Sequence, residues 1–314
     1  MIQIAVPNLT GGEVDVSRSR LLRYNATLVR KIDVHDDLSI FRVKPDWPIP
    51  SFQAGQYVAL GLGYWEPRVA NTQVEKTPPS RWDRVVRRAY SISCSLLDER
   101  GQLIRVSDCD YLEFYITLVR EAARPPALTP RMFGLEEGDR LFMEPHIVGR
   151  YTLDEVPPDD SVVLFGTGTG EAPHNAMITE LLARGHRGRI TCVTSVRYRS
   201  DLGYINAHRQ LERRYANYLY LPLTTREPEN IDPSASGFVG KLHVQDYVRS
   251  GHFEQDSGVA LDPGRTQVFL CGSPAMIGYH PTEPATGMIQ VLEERGFQCR
   301  GPNRAGNIHF ERYW

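Results

Sequence analysis

Two short segments of this 314-residue chain combine residue types that could bind nucleotides. Residues 88–91 read Arg-Ala-Tyr-Ser and end a strand-like run, so they offer a cation for a phosphate, an aromatic ring for a flat ligand and a hydroxyl for a polar ring edge. Residues 166–170 read Gly-Thr-Gly-Thr-Gly between an apolar run and a helical pattern, where bare backbone can approach a pyrophosphate. Two nucleotide sites in one chain suggest electron transfer between two nucleotides.

Two further segments are weaker candidates taken alone. Leu128-Thr129-Pro130 fits a helix start, with Thr129 as N-cap and Pro130 at the first position, and such a terminus can hold a phosphate or be an ordinary capped helix. Cys271 and Ser273 directly follow an apolar strand at 267–270, where open parallel sheets place ligand-binding loops. A lone cysteine there is more often a small core residue. The glycine turn at 166–170 is likewise typical of any tight strand-to-helix connection, and it lacks the Gly-x-Gly-x-x-Gly spacing.

Composition excludes several classes of site and partner. The formal net charge is -2, which argues against a nucleic-acid-binding protein. The five cysteines, at positions 94, 109, 192, 271 and 299, include no close pair, so we expect no metal centre and no iron–sulfur cluster. A one-electron partner would therefore be a separate protein. No apolar run reaches the roughly 18 residues of a membrane span, and the first residues lack a basic, apolar leader, so we expect a soluble cytoplasmic protein.

The elements that must position these residues divide the chain into two patterns. In the first half, short alternating segments at 25–44, 54–60, 112–119 and 140–143, with a strand leading to Tyr90, predict an antiparallel β-barrel. The proline-rich and charged stretch at 66–82 predicts a long exposed loop before that strand.

The second half alternates between strands and helices. Strands at 162–165, 189–193 and 267–270, with helices ending at Arg184 and around 208–215, predict a parallel α/β sheet with crossover helices. We place the linker at Pro157-Pro158. The predicted divisions are an N-terminal arm at 1–22, the barrel domain at 23–156 and the α/β domain at 157–314.

The order of these motifs, together with the terminal Glu-Arg-Tyr-Trp at 311–314, resembles the ferredoxin/flavodoxin-NADP reductase family of bacterial type. The resemblance extends from about Arg23 to Trp314. It implies a two-domain fold in which the antiparallel β-barrel binds FAD and the following parallel α/β domain binds NADP.

The resemblance also implies roles for individual residues at the flavin. Arg88 would pair with the FAD pyrophosphate, Tyr90 would lie against the isoalloxazine, and Ser91 would sit near flavin N5, the atom that receives hydride. Tyr313 would cover the other flavin face, and Trp314 would stack on the adenine. The implied FAD contacts are Arg88, Ala89, Tyr90, Ser91, Tyr115, Ile116, Thr117, Leu128, Thr129, Thr167, Tyr313 and Trp314, and the implied catalytic residues are Ser91, Cys271 and Tyr313.

For NADP(H), the resemblance implies that the glycine turn faces the pyrophosphate and that Cys271 flanks the nicotinamide C4. Three cations, Arg197, Arg226 and Lys241, match positions that hold the 2'-phosphate, although Lys241 stands where the family usually has arginine. The implied NADP contacts are Gly168, Thr169, Gly170, Arg197, Arg226, Lys241, Cys271 and Ser273. The loop at 66–87 and an insertion at 279–284 depart from the family pattern. Glu171 and His174, at the start of the following helix, could be local substitutions or could touch the ligand, and we interpret them as residues on the helix surface.

The implied activity is hydride transfer between NADP(H) and FAD, followed by single-electron transfer to ferredoxin or flavodoxin by a monomeric enzyme. Two alternatives stay open. One is an NAD(P)H-dependent reductase component serving an oxygenase or another electron chain, and the other is a flavin-binding regulatory module without turnover.

Overall fold

The computed structural model describes residues 20, 22–278, 287–301 and 305–312. Most of the predicted arm, the insertion at 279–284 and the terminal Tyr313 and Trp314 lie outside the described residues. The chain forms two compact units. The first comprises the described residues up to Phe52 together with Gln56–Ile92 and Ser107–Gly149, and the second comprises Gln53–Gly55, Ser93–Val106 and the described residues from Arg150 onward. The domain boundaries given above stay a prediction.

The first unit contains a six-stranded antiparallel sheet with strand order β4-β3-β6-β1-β2-β5. Its strands are β1 (Ala26–His35), β2 (Leu38–Pro45), β3 (Tyr57–Gly63), β4 (Val85–Ser91), β5 (Leu112–Thr117) and β6 (Arg140–Met143), and one α-helical turn, α1 (Thr129–Met132), follows β5. Strands β1 and β2 form a hairpin because the polar pair Asp36-Asp37 separates two apolar runs.

The two end strands of this sheet approach each other. Tyr90 of β4 and Phe114 of β5 lie at opposite ends of the strand order, yet their ring centroids are 6.5 Å apart. The sheet therefore curls on itself around buried side chains such as Phe41 and Leu60. This curl gives the barrel character predicted from the sequence.

The second unit contains a five-stranded parallel sheet with strand order β11-β10-β7-β8-β9. The strands are β7 (Ser161–Thr167), β8 (Ile190–Val196), β9 (Tyr218–Thr224), β10 (Thr266–Gly272) and β11 (Ile308–Arg312). The helices are α2 (Glu171–Ala183), α3 (Ile205–Arg214), α4 (Pro228–Ile231), α5 (Val244–Arg249), α6 (His252–Ser257), α7 (Pro274–Ile277) and α8 (Met288–Glu293). One apolar cluster, which includes Phe165, Val248 and Leu270, fills the space between the sheet and the later helices.

The predicted fold class is confirmed, whereas two strands were missed and one was misplaced. β9 escaped because Pro222 interrupts its apolar run, and this proline is tolerated because β9 is an edge strand. β11 was interpreted as part of a terminal motif. The strand predicted at 54–60 begins at Tyr57, because Gly55 adopts φ +98° in a turn where a Cβ would lie 1.9 Å from the Tyr151 carbonyl oxygen.

Candidate functional site

Strand β4 presents the Arg-Ala-Tyr-Ser segment in the first unit. The segment pairs with β3, where Leu60 lies opposite Arg88 and Tyr57 opposite Ser91. Arg88 and Tyr90 share one face of the strand because side chains alternate along it. The Arg88 guanidinium donates to the Arg87 carbonyl oxygen at 2.8 Å, and within the described residues it forms no ion pair. Its charge is thus available to an anionic group.

Tyr90 and Ser91 differ in exposure. The Tyr90 ring is partly exposed and contacts Phe114 edge-on, whereas Ser91 is buried. The exposed part of this segment therefore combines a cation with an aromatic ring.

The predicted contacts on β5 are placed differently. Tyr115 and Ile116 are buried, and Thr117 is the partly exposed member of the three. At this strand a ligand would meet backbone and the Thr117 side chain more readily than the larger side chains.

Helix α1 lies where the sequence predicts a helix, but it begins one residue earlier, at Thr129 and not at Pro130. The helix starts at Thr129, Leu128 occupies the N-cap position, and no side chain caps it. The Thr129 Oγ1 instead accepts a hydrogen bond from the Val119 backbone N–H at 3.1 Å, because the chain leaving β5 passes beside it. The prediction of Thr129 as N-cap was therefore wrong.

The long loop before β4 is anchored to α1 by a partly buried ion network. Glu75 accepts from Arg131 at 2.7 Å and from Arg68 at 2.9 Å. Arg131 is 3% exposed, and it also donates to the Tyr64 carbonyl oxygen. The loop is therefore held by charges next to the predicted FAD contacts Leu128 and Thr129.

The glycine turn of the second unit joins β7 to α2. Residues Gly168–Gly170 form a single 3-10 turn, and α2 continues from Glu171. Gly168 is exposed at φ +54°, with no atom within 4 Å of a Cβ built on it. Gly170 is buried, and a Cβ there would lie 2.3 Å from the Cys271 carbonyl oxygen. Only the outer part of the turn is open, while Gly170 allows β10 to pack closely.

The loop after β10 interlocks with this turn. The Ser273 backbone N–H donates to Thr167 Oγ1 at 2.8 Å, and Gly272, at φ +123°, packs against the same threonine. Cys271 is fully buried and pairs in register with Gly166 of β7. The carboxyl ends of β7 and β10 thus bring together four predicted site residues, Thr167, Gly170, Cys271 and Ser273, at an edge where open α/β sheets bind ligands.

Two of the three predicted phosphate-binding cations follow neighbouring strands. Arg197 follows β8 and Arg226 follows β9, and the Arg226 N–H donates to the Arg197 carbonyl oxygen at 2.9 Å. The Arg197 side chain is half exposed and lies 3.5 Å from Asp201. Arg199, two residues after Arg197, forms an ion pair with Glu229.

Lys241 reaches the same neighbourhood through the chain after α4. The preceding Gly240 donates its N–H to the Glu229 carbonyl oxygen at 3.1 Å and accepts from the Asn230 side chain at 3.3 Å. Lys241 itself is exposed.

The interpretation of Glu171 and His174 as helix-surface residues was wrong, because both are fully buried. Glu171 accepts hydrogen bonds from three elements of the sheet domain, and His174 Nε2 lies 2.7 Å from the Tyr151 hydroxyl. Burial lowers the pKa of His174 to about 3. Helix α2 is buried on most of its faces, so its sequence is not divided into an apolar and a polar face. The sequence pattern therefore could not distinguish buried polar residues from exposed ones.

Two negative findings apply to the described residues. None of their His, Cys, Asp and Glu side chains form a group of three or more that could hold a metal ion. No described helix combines the length and the apolar character needed to cross a membrane.

Comparisons with known proteins agree with this arrangement. The oxidoreductase NAD-binding domain family model matches residues 164–280. A ferredoxin–NADP reductase of Pseudomonas aeruginosa is 28% identical over 260 residues, which cover 79% of this chain and 84% of the relative. A flavodoxin/ferredoxin–NADP reductase of Escherichia coli K12 is 26% identical over 239 residues, covering 76% of this chain and 81% of the relative.

The fold has solved counterparts. A ferredoxin NADP+ reductase from Neisseria gonorrhoeae, crystallised with bound FAD and NADP, superposes with a TM-score of 0.70 at 17% identity. The match covers 92% of this chain and 97% of that protein.

Proposed function

We propose that this chain, which belongs to the ferredoxin/flavodoxin-NADP reductase family of bacterial type, is an oxidoreductase that uses FAD to move electrons between NADP(H) and a small electron-carrier protein. The carrier is a ferredoxin or a flavodoxin, as the names of the relatives indicate. From the sequence we further infer a cytoplasmic monomer.

The observation that carries the proposal is the interlocked pair of loops at the carboxyl ends of β7 and β10. The exposed Gly168 leaves room for a pyrophosphate against bare backbone, and the turn lies directly before the N-terminus of the 13-residue helix α2. Arg197 and Arg226 follow the next two strands along the same edge, and Lys241 adds a third positive charge. This arrangement suits a dinucleotide that carries an additional phosphate.

The first unit offers residues that suit FAD. Arg88 has no competing ion pair among the described residues, so it can pair with a pyrophosphate, and the partly exposed Tyr90 ring on the same strand face suits a flat ring system. Tyr90 also contacts Phe114 of β5, the strand whose residues Tyr115, Ile116 and Thr117 are predicted FAD contacts, whereas the predicted contact Ser91 is buried. Tyr313 and Trp314, which the family resemblance also assigns to FAD, lie outside the described residues.

FAD, when bound, supplies the chemistry that links two-electron hydride transfer to single-electron transfer. The chain contributes binding and orientation. In the first unit, Arg88 would pair with the FAD pyrophosphate and Tyr90 would lie against the isoalloxazine. In the second unit, Gly168 and Thr169 would face the NADP(H) pyrophosphate, and the buried Cys271 precedes the loop that carries Ser273. The positive charges of Arg197, Arg226 and Lys241 favour a 2'-phosphorylated nucleotide over one without that phosphate.

The proposal is tested by recording the absorption spectrum of the purified protein during anaerobic addition of NADPH, followed by addition of oxidised ferredoxin or flavodoxin. We expect a flavin spectrum that bleaches with NADPH and recovers as the carrier is reduced. A protein without flavin, or one whose flavin NADPH does not bleach, contradicts the proposal. Flavin that bleaches but fails to reduce either carrier favours the oxygenase-component alternative.

A further inference from the structure

A fully buried carboxylate lies directly behind the glycine turn. Glu171 is the first residue of α2, immediately after Gly168–Gly170, and its side chain has no exposed surface. Three donors converge on its Oε1: the Tyr220 hydroxyl at 2.8 Å, His208 Nε2 at 3.0 Å and the Thr194 hydroxyl at 3.2 Å. These donors belong to β9, α3 and β8.

The donors are themselves held in place. The His208 ring stacks on the Tyr220 ring, with centroids 3.9 Å apart and planes inclined by 10°. His208 Nδ1 lies 2.7 Å from the Tyr218 hydroxyl. Thr194, His208 and Tyr220 are all fully buried, so Glu171 is the centre of a rigid polar cluster and not a solvated side chain.

The position of this cluster relates it to two predicted nucleotide-contacting segments. On one side, the main chain of Glu171 continues the glycine turn. On the other side, β8 leads from Thr194 to Arg197 in three residues, and β9 leads from Tyr220 towards Arg226. One carboxylate oxygen therefore links the turn to the two strands whose ends carry the predicted 2'-phosphate cations.

Stability alone is a poor reason for a carboxylate at this place. Burying a carboxylate is costly, and well-packed apolar residues often replace buried polar clusters at no loss of stability. The second oxygen, Oε2, is buried and has no hydrogen-bond partner among the described residues, which adds to that cost. The hydrogen bonds to the carboxylate fix the direction of the start of α2, and an apolar side chain could not form them.

We propose that Glu171 is a positioning residue for the nicotinamide nucleotide, acting through Tyr220, His208 and Thr194 to fix the glycine turn relative to Arg197. This inference rests on the proposed function. Because all three hydrogen bonds use Oε1, a glutamine whose amide oxygen occupies the same place can accept them all. A leucine of similar size can accept none.

The test compares Kd for NADP+, measured by titration calorimetry on FAD-loaded protein well below its unfolding temperature. We expect Glu171→Leu to weaken NADP+ by about tenfold, because small displacements of a binding segment are costly. Glu171→Gln should stay within about twofold of the unaltered protein, since it keeps the same acceptor. FAD content should be the same in all variants, because the predicted FAD contacts on β4 and β5 belong to the other unit.

A matched pair of hydroxyl deletions separates positioning from stability. Tyr220→Phe removes one donor to Glu171, and Tyr247→Phe removes a comparable hydrogen bond, from Tyr247 to Asp256 at 2.7 Å, within the same unit. Both should lower the unfolding temperature, whereas only Tyr220→Phe should weaken NADP+, by about threefold. This pair decides the question if Glu171→Leu does not fold.

The outcomes are distinct. Unchanged NADP+ affinity in Tyr220→Phe and in any folded Glu171→Leu overturns the positioning role and leaves the cluster a structural one. Equal weakening by Tyr220→Phe and Tyr247→Phe overturns it as well. Failure of the unaltered protein to bind NADP+ overturns the proposed function itself.

Discussion

Replacing Gly170 by alanine should disturb the predicted nucleotide site through a steric clash, and backbone strain should contribute little. Gly170 has φ -61° and ψ -12°, which any residue adopts readily. A Cβ there would lie 2.3 Å from the Cys271 carbonyl oxygen and 2.7 Å from the carbonyl carbon, whereas ordinary contacts begin at 3.4 Å. The clash is with backbone, so no side-chain rotation relieves it.

The magnitude follows from that overlap. Restoring ordinary contact requires a shift of about 1 Å between the glycine turn and the end of β10, and a misplacement of that size can reduce a rate by about a hundredfold. We expect kcat/KM for NADPH to fall by about that factor. Overpacking of this kind also costs about 1–3 kcal/mol of folding free energy.

Anaerobic stopped-flow reduction by NADPH, with flavin content and the unfolding temperature recorded for each variant, measures these effects. Gly264→Ala is the control, because its Cβ would meet a single side-chain atom, Asp262 Oδ1, at 3.3 Å. Gly170→Ala with unaltered kinetics would show that the two loops do not need to pack closely for function. Equal losses in both variants would show that the effect is not specific to this contact.

Three further outcomes are expected. Arg197→Ala should lower kcat/KM for NADPH by about 10- to 100-fold, the loss of one charge-assisted contact, and leave NADH nearly unchanged; equal losses with both cofactors would remove Arg197 from the phosphate site. Cys271→Ala should slow reduction by NADPH more than it weakens NADP+ binding, because it alters the geometry of the loop; weaker binding at an unchanged reduction rate would make Cys271 a packing residue. Burial lowers the pKa of His174 from 6.5 to about 3, so between these values the unfolded chain binds a proton that the folded chain does not. The free energy of unfolding should therefore fall as the pH drops from 6.5 towards 3, by at most about 1.4 kcal/mol per pH unit from this residue. Urea titrations at a series of pH values should show a smaller decrease of this free energy with falling pH in His174→Gln.

The sequence predicted the elements whose pattern is local. The hairpin of β1 and β2 follows from alternating apolar residues around Asp36-Asp37, and β6 has the predicted bounds because its pattern is uninterrupted. Strand β9 was missed because Pro222 is acceptable only at a sheet edge, and edge position depends on strands distant in sequence.

In the candidate site, too, features with a local sequence pattern were predicted, and features that depend on contacts distant in sequence were not. The glycine turn and Cys271 were found because each follows a strand, but their contact depends on β7 and β10 being neighbours in the sheet. The hydroxyl of Thr129 was assigned to a cap because the local string permits it, whereas the passing chain at Val119 uses it. Glu171 was misread because burial of a carboxylate requires donors from three other elements, which no local pattern contains.

The ion network that anchors the long loop restricts how this region can vary. Glu75 forms ion pairs with both Arg68 and Arg131, so loss of Glu75 would leave two partly or fully buried positive charges without their carboxylate. Loss of Arg131 would leave Glu75 with Arg68 as its remaining ion-pair partner among the described residues. We therefore expect substitutions at these three positions to occur together. A loop without Glu75 would leave the enclosed Arg131 with backbone carbonyl acceptors alone, so we expect loop length and the residue at position 131 to change together among related sequences.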